Sequence, residues 1–178
     1  MLSEAQKRVL VEVARRAIDA EVRRDLPEAV RVPLELPEAS GVFVTIKRRG
    51  ELRGCLGTLQ CRHDLAQEVA KCAADAASQD PRFPPVGRDE LPDLSIEVSV
   101  LGPLEPIAAD PANVVVGRDG LVAEQGYRRG LLLPQVATEW GWTAEQFLRQ
   151  TCAKAGLPGD AWQHGARIFR FSAEVFGG

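Results

Sequence analysis

No hydrophobic run in the 178 residues approaches the roughly 20 needed to span a bilayer. The N-terminal stretch MLSEAQKRVLVEVARRAIDAEVRRD is charged throughout, where a secretory signal would be apolar. These absences lead us to expect a cytoplasmic chain with no membrane attachment. Cysteine is scarce: Cys55, Cys61, Cys72 and Cys152, with no C-x-x-C pair. In a reducing compartment all four are expected as free thiols. Histidine is scarcer still, with only His63 and His164. Cys55, Cys61 and His63 lie close in sequence but lack zinc-ligand spacing, so no metal is expected. A phosphate loop, a dinucleotide fingerprint, a G-x-S-x-G elbow and an H-E-x-x-H helix are all missing. The sequence therefore implies no cofactor of its own. The net charge of −3 provides no basic field for nucleic acid. The short run Tyr127-Arg128-Arg129 is too small to serve as an RNA surface.

What is present suffices for a folded core: 45% of the residues are hydrophobic, over a length that fits one domain or two close lobes. Ser3 followed by Gln6 is a capping box, and Val9, Leu10, Val13, Ala14, Ala17, Ile18 and Val22 recur at helical spacing behind it. Pro27, Pro33 and Pro37 impose an extended connector over 26–40. GVFVTIKRRGELRGCLGTL reads as two strands joined at Arg49-Gly50. Asp64 opens a helix whose inner face is Leu65, Val69, Ala70, Ala73 and Ala76. LSIEVSVL alternates cleanly, with Leu94, Ile96, Val98 and Val100 on one face and Ser95, Glu97 and Ser99 on the other.

The second half starts again with strands in NVVVGRDGLVAEQGYRRGLLLP, where Asp119-Gly120 reads as a hairpin turn. Helices are expected at 135–139 and 143–155, then a last strand, ARIFRFSAEVF. Both halves run strand, strand, helix, strand, which implies an internal duplication. The expected class is α+β: one domain over 1–178, with lobes at 41–102 and 112–176 and the helix 3–24 packed on them.

Candidate chemistry centres on Leu52-Arg53-Gly54-Cys55-Leu56-Gly57. On a regular strand Arg53 and Cys55 share a face, about 7 Å apart. A guanidinium there would favour the thiolate. Gly54 and Gly57 weaken a strand and mark a bulge or a close approach by a ligand or another backbone. The competing reading makes Cys55 a small buried hydrophobe, with the glycines accommodating a helix. Glu97, in mid-strand, must be solvated, paired or catalytic, and pairing with an arginine such as Arg53 is the plainer role. Asp80-Pro81-Arg82-Phe83 sets an acid, a base and an aromatic in a proline-stiffened loop, the kind of segment where binding residues collect. Its plainer role is an Asp80–Arg82 pair that fixes the loop.

LRGCLGTL, DPRFPPV, LSIEVSVL, LLLPQVATEWGW and FLRQTCAKAGLP, in that order, resemble the AMMECR family. The resemblance implies a strongly curved, barrel-like sheet built from two similar halves, with helices outside. It also implies a genomic association with a Memo-type protein and a radical SAM protein. The motif positions that carry over are Leu52, Arg53, Gly54, Cys55 and Gly57, then Asp80, Pro81, Arg82 and Phe83. Two functions follow. In the first, Cys55 works as a thiol with Arg53 and Glu97, while Gly54, Gly57, Asp80, Arg82 and Phe83 bind a small molecule or peptide. In the second, the chain is a non-catalytic adaptor for a protein, peptide or RNA partner.

Overall fold

The computed structural model describes every residue, Met1–Gly178. The chain divides into two compact units, Met1–Leu101 with Glu174–Gly178, and Gly102–Ala173. No helix is long and apolar enough to cross a membrane.

The first unit opens with helix α1 (Glu4–Arg23), and both halves of its capping box form between Ser3 and Gln6. The proline-bearing connector then leads to β1 (Gly41–Arg48) and β2 (Glu51–Thr58). These strands form a hairpin whose turn residues, Arg49 and Gly50, both take positive φ. Helix α2 (Leu65–Ser78) follows, capped by the Asp64 carboxylate on the Gln67 amide. Strand β3 (Leu94–Leu101) pairs antiparallel with β1, so the local order is β2-β1-β3 with β2 at the edge. One face of these strands (Val42, Val44, Ile46, Ile96, Val98) packs with Leu10, Ala14 and Ile18 of α1 and Val69, Ala73 and Ala76 of α2. Cys72 is buried in this core, as its place on the helix face predicts.

The second unit contains β4 (Glu105–Ile107), β5 (Asp119–Gln125), β6 (Arg128–Leu132), α3 (Pro134–Trp140) and α4 (Ala144–Lys154). It also holds most of β7 (Arg167–Gly177), up to Ala173. β5 lies between β6 and β7, all antiparallel, and β4 pairs with β7. Its core includes Leu121, Phe147, Leu148, Cys152 and Ile168.

Asp119-Gly120 is not a turn. Asp119 is buried, and its carboxylate accepts the Val115 amide, so the dipeptide starts β5. The hairpin turns instead at Gly126, which has φ 62°.

The α+β class holds in both units, where antiparallel strands carry helices packed against them. Each unit runs hairpin, helix, strand, with one α-helix (α2) in the first and two (α3 and α4) in the second, and its first hairpin strand lies in the middle. The second hairpin strand in each carries an Arg-Gly pair, Arg53-Gly54 in β2 and Arg129-Gly130 in β6. Both glycines serve one purpose. A Cβ at Gly54 would collide with the Ala76 carbonyl of α2, and one at Gly130 with the backbone at Ala155, just past α4. In both places the helix lies directly on the strand, and only glycine permits that distance.

Candidate functional site

The site lies within the first unit, at the exposed edge of its sheet. β2 pairs only with β1 there, so the outward Cys55 amide has no strand partner. It donates to Asp80 Oδ2 at 3.0 Å. Asp80 is buried, at 5% exposure, and its carboxylate also accepts the Arg82 amide (3.0 Å), Nε (3.1 Å) and Nη2 (2.8 Å). The Arg82 hydrogen bonds dominate, and they hold the Asp80 carboxyl well below the usual carboxylate range despite burial. The same bonds raise the pKa of Arg82, and a thiolate at Cys55 would add to the effect. The Arg82 guanidinium is more than half exposed and lies 5.5 Å from the centre of the Phe83 ring. Asp80, Arg82 and Phe83 therefore stand together against the Cys55 strand.

Arg53 departs from the expected geometry. The β1–β2 register shifts between Ile46 and Lys47: Ile46 faces Gly54 and Lys47 faces Leu52, which leaves Arg53 as the extra residue of a bulge. The bulge breaks the two-residue alternation on which a shared face with Cys55 depended. Its Nε and Nη2 bind Glu90 at 2.8 and 3.0 Å, and Nη1 and Nη2 bind the Pro84 and Pro85 carbonyls at 2.8 and 3.2 Å. Glu90 also accepts Arg48 Nη1 (3.1 Å) and the Gly87 amide (2.7 Å). These bonds, Arg53's foremost, bring the Glu90 pKa down to about 2. Arg53 is a clamp on the 84–90 loop, and Arg82 is the guanidinium beside the thiol.

Glu97 does not pair with Arg53 either. It binds Lys47 Nζ at 2.9 Å, and both side chains are about one-third exposed. Cys55 is opposite Thr45 on β1, and Thr45 is opposite Glu97 on β3, so the three form one cross-strand row. The Thr45 hydroxyl lies 3.2 Å from the Cys55 sulfur. Sequence reasoning missed Thr45. Its place in the alternating run Val42-x-Val44-x-Ile46, as the polar residue facing away from the core, was the available signal. Of the remaining motif residues, Leu56 packs on the core, and Gly57 leaves room for the ring of Phe43, its cross-strand partner.

The pKa values of the other three thiols are raised. Burial, and then Glu68, push Cys72 up to about 11 and raise Cys61. Burial raises Cys152. The His63 amide is tied to Glu68, and His164 lies beside Asp160 in the second unit. The hydrogen-bond partner of the Cys55 thiol is a threonine, not a histidine.

The second unit supplies an internal comparison. When Gly130 is matched to Gly54, Leu131 takes the place of Cys55. Val122 faces Leu131 on one side and Phe169 on the other. The row Cys55–Thr45–Glu97 thus corresponds to Leu131–Val122–Phe169.

A family model, AMMECR1, matches residues 11–176. A protein of Methanothermobacter thermautotrophicus is 46% identical, covering 98% of this chain and 95% of its own. One from Thermococcus gammatolerans is 48% identical over 94% of this chain and 87% of its own. The crystal structure of the uncharacterised protein PH0010 from Pyrococcus horikoshii is similar, with a TM-score of 0.82 and 42% identity, over 99% of this chain and 93% of that one.

Proposed function

The chain belongs to the AMMECR1 family, and from that premise we propose that it works through a thiol-centred site at Cys55. Cys55 supplies the sulfur and Thr45 the adjoining hydroxyl. Arg82, fixed by Asp80, supplies the cation, while Glu97 positions Lys47 on the same face. Gly54, Gly57 and Phe83 shape the surroundings, and Arg53 holds the neighbouring loop in place. The ligand is a small molecule or a peptide side chain, delivered by a Memo-type protein or a radical SAM protein.

One observation carries this reading. The fold closes the equivalent row of its second unit with Leu131, Val122 and Phe169. A sheet of this design therefore has no structural need for a thiol, a hydroxyl and a carboxylate in that row. Groups that packing does not require, on a half-exposed edge, are candidates for chemistry.

The adaptor reading has its own support. Arg53, Gly54, Leu56 and Gly57 are all engaged in packing or hydrogen bonding, so a motif built around them also suits a purely structural edge. Copurification with the Memo-type and radical SAM proteins, comparing wild type with Cys55→Ser, separates the two. The thiol reading expects a mass adduct on the Cys55 peptide that forms only with the partners present and is absent from Cys55→Ser. A bare thiol, with partner binding undiminished in Cys55→Ser, would replace it with the adaptor reading.

A further inference from the structure

The second unit carries a tryptophan that its core does not use. Trp142 packs on the fully buried Phe147, with ring centres 6.3 Å apart, and covers the core there. Trp140 stacks on Trp142, also at 6.3 Å and with the planes 14° apart, yet it is 71% exposed. One face of its indole is therefore covered and the other is open. Backbone bonds hold the stack in place. Trp140 is the last residue of α3, and Gly141 follows with φ 64°, its amide donating to the Ala137 and Thr138 carbonyls. The Trp142 amide returns to the Ala137 carbonyl at 2.9 Å. A Cβ at Gly141 would meet nothing within 4 Å, so the surface next to the ring is open as well. An aromatic face fixed in advance loses little freedom on binding, and tryptophan is enriched at the energetic centres of protein interfaces.

Charge indicates the partner. From Gly130 to Leu148 the only charged side chains are Glu139 and Glu145. Both are exposed, and neither carboxylate has an ion-pair or hydrogen-bond partner. Glu139 precedes Trp140 in the last turn of α3, and Glu145 stands in the first turn of α4, three residues after Trp142. The cations that border this stretch are engaged elsewhere. Arg129 pairs with Glu124, and Arg149 runs over Gly159. Arg118 is held on both oxygens of Asp119. The negative end of α3 and the positive end of α4 meet here and offset each other, so the two carboxylates set the sign of the patch. We propose that the open face of Trp140 docks an arginine of a partner protein, its guanidinium laid flat on the indole and its charge met by Glu139 and Glu145. A guanidinium is planar, stacks on aromatic faces and pairs with carboxylates, which suits both parts of the patch. The same carboxylates repel the phosphates of a nucleic acid. This proposal is independent of what Cys55 does.

The probe is the acetylated peptide amide Gly-Arg-Gly-Arg-Gly-Arg, titrated into the full chain while the indole N–H signals of Trp140, Trp142 and Trp162 are followed by NMR. Counterparts with citrulline or glutamate in place of arginine serve as controls. Citrulline keeps the planar head group and removes its charge. The arginine peptide is expected to shift Trp140 while Trp162 stays in place, and to bind about fivefold more tightly than the citrulline peptide. Glu139→Gln with Glu145→Gln should weaken binding about fivefold, and Trp140→Ala should do the same with an unchanged melting temperature. If Trp140→Ala does not fold, the glutamine pair decides alone. No shift at Trp140, equal binding of the citrulline or glutamate peptide, or an affinity indifferent to these changes would each overturn the proposal. Sedimentation of the free chain is expected to show no association through this face. A dimer dispersed by Trp140→Ala would assign the face to a second copy and overturn the proposal as well.

Discussion

The Asp80 carboxylate and the Cys55 amide meet at 3.0 Å, 25 residues apart in sequence. This bond fastens a proline-stiffened loop to an edge strand that has no neighbour on that side within its unit. One buried carboxylate thereby closes the open edge and holds Arg82 next to the thiol. Edge strands with free amides invite unwanted pairing, and Asp80 occupies the amide at the proposed site. Asp80→Ala is expected to speed hydrogen exchange at the Cys55 amide at least tenfold, while core amides of β1 and β3 keep their protection. Unchanged exchange at Cys55 would mean that the loop is held by Arg53 alone.

Glu90 gathers Arg53, Arg48 and the Gly87 amide, and both Glu90 and Arg53 are nearly buried. Removing its charge deprives two guanidinium groups of the carboxylate they share, so Glu90→Gln should cost about 2–3 kcal/mol. The pH dependence has a definite sign. The folded-state pKa is depressed from 4.5 to about 2, so the contribution is complete above about 4.5 and is lost as pH falls towards 2. Chemical denaturation across that window should show wild type losing stability more steeply than Glu90→Gln. Parallel curves would contradict the clamp.

The contrast between the two rows gives a stability prediction. If the polar row is not needed for folding, Thr45→Val with Cys55→Leu should shift stability by no more than about 1 kcal/mol. Thermal unfolding checks this directly. A loss of several kcal/mol would make the row structural.

Much of the local architecture was legible in the sequence because it depends on near neighbours. Ser3 with Gln6 and Thr143 with Gln146 specify helix starts through a side chain and an amide three residues apart. The alternation of Leu94 to Val100 specifies a half-buried strand. The site was legible as two motifs, but the way they join was not. Gly54 marked a bulge or a close approach, but the position of the bulge at Arg53 is a property of the β1–β2 register, which β2 alone does not carry. That one extra residue redirected the guanidinium from Cys55 to Glu90, whose role depends on a contact 37 residues away. The Asp119-Gly120 reading failed for a related reason. The dipeptide has turn chemistry, but burial of Asp119 over the Val115 amide makes it the first residue of a strand.

Cys55 is proposed as the working thiol, with Arg82, not Arg53, as its cation. The most direct measurement is the alkylation rate of each of the four cysteines at neutral pH in the folded chain, in wild type, Arg82→Ala and Arg53→Lys. Cys55 is expected to react at least tenfold faster than Cys61, Cys72 and Cys152. Arg82→Ala should slow Cys55 several-fold, and Arg53→Lys should leave its rate unchanged in protein that remains folded. A Cys55 no faster than Cys61, or one indifferent to Arg82, would contradict the proposal and leave the LRGC segment a packing and docking element.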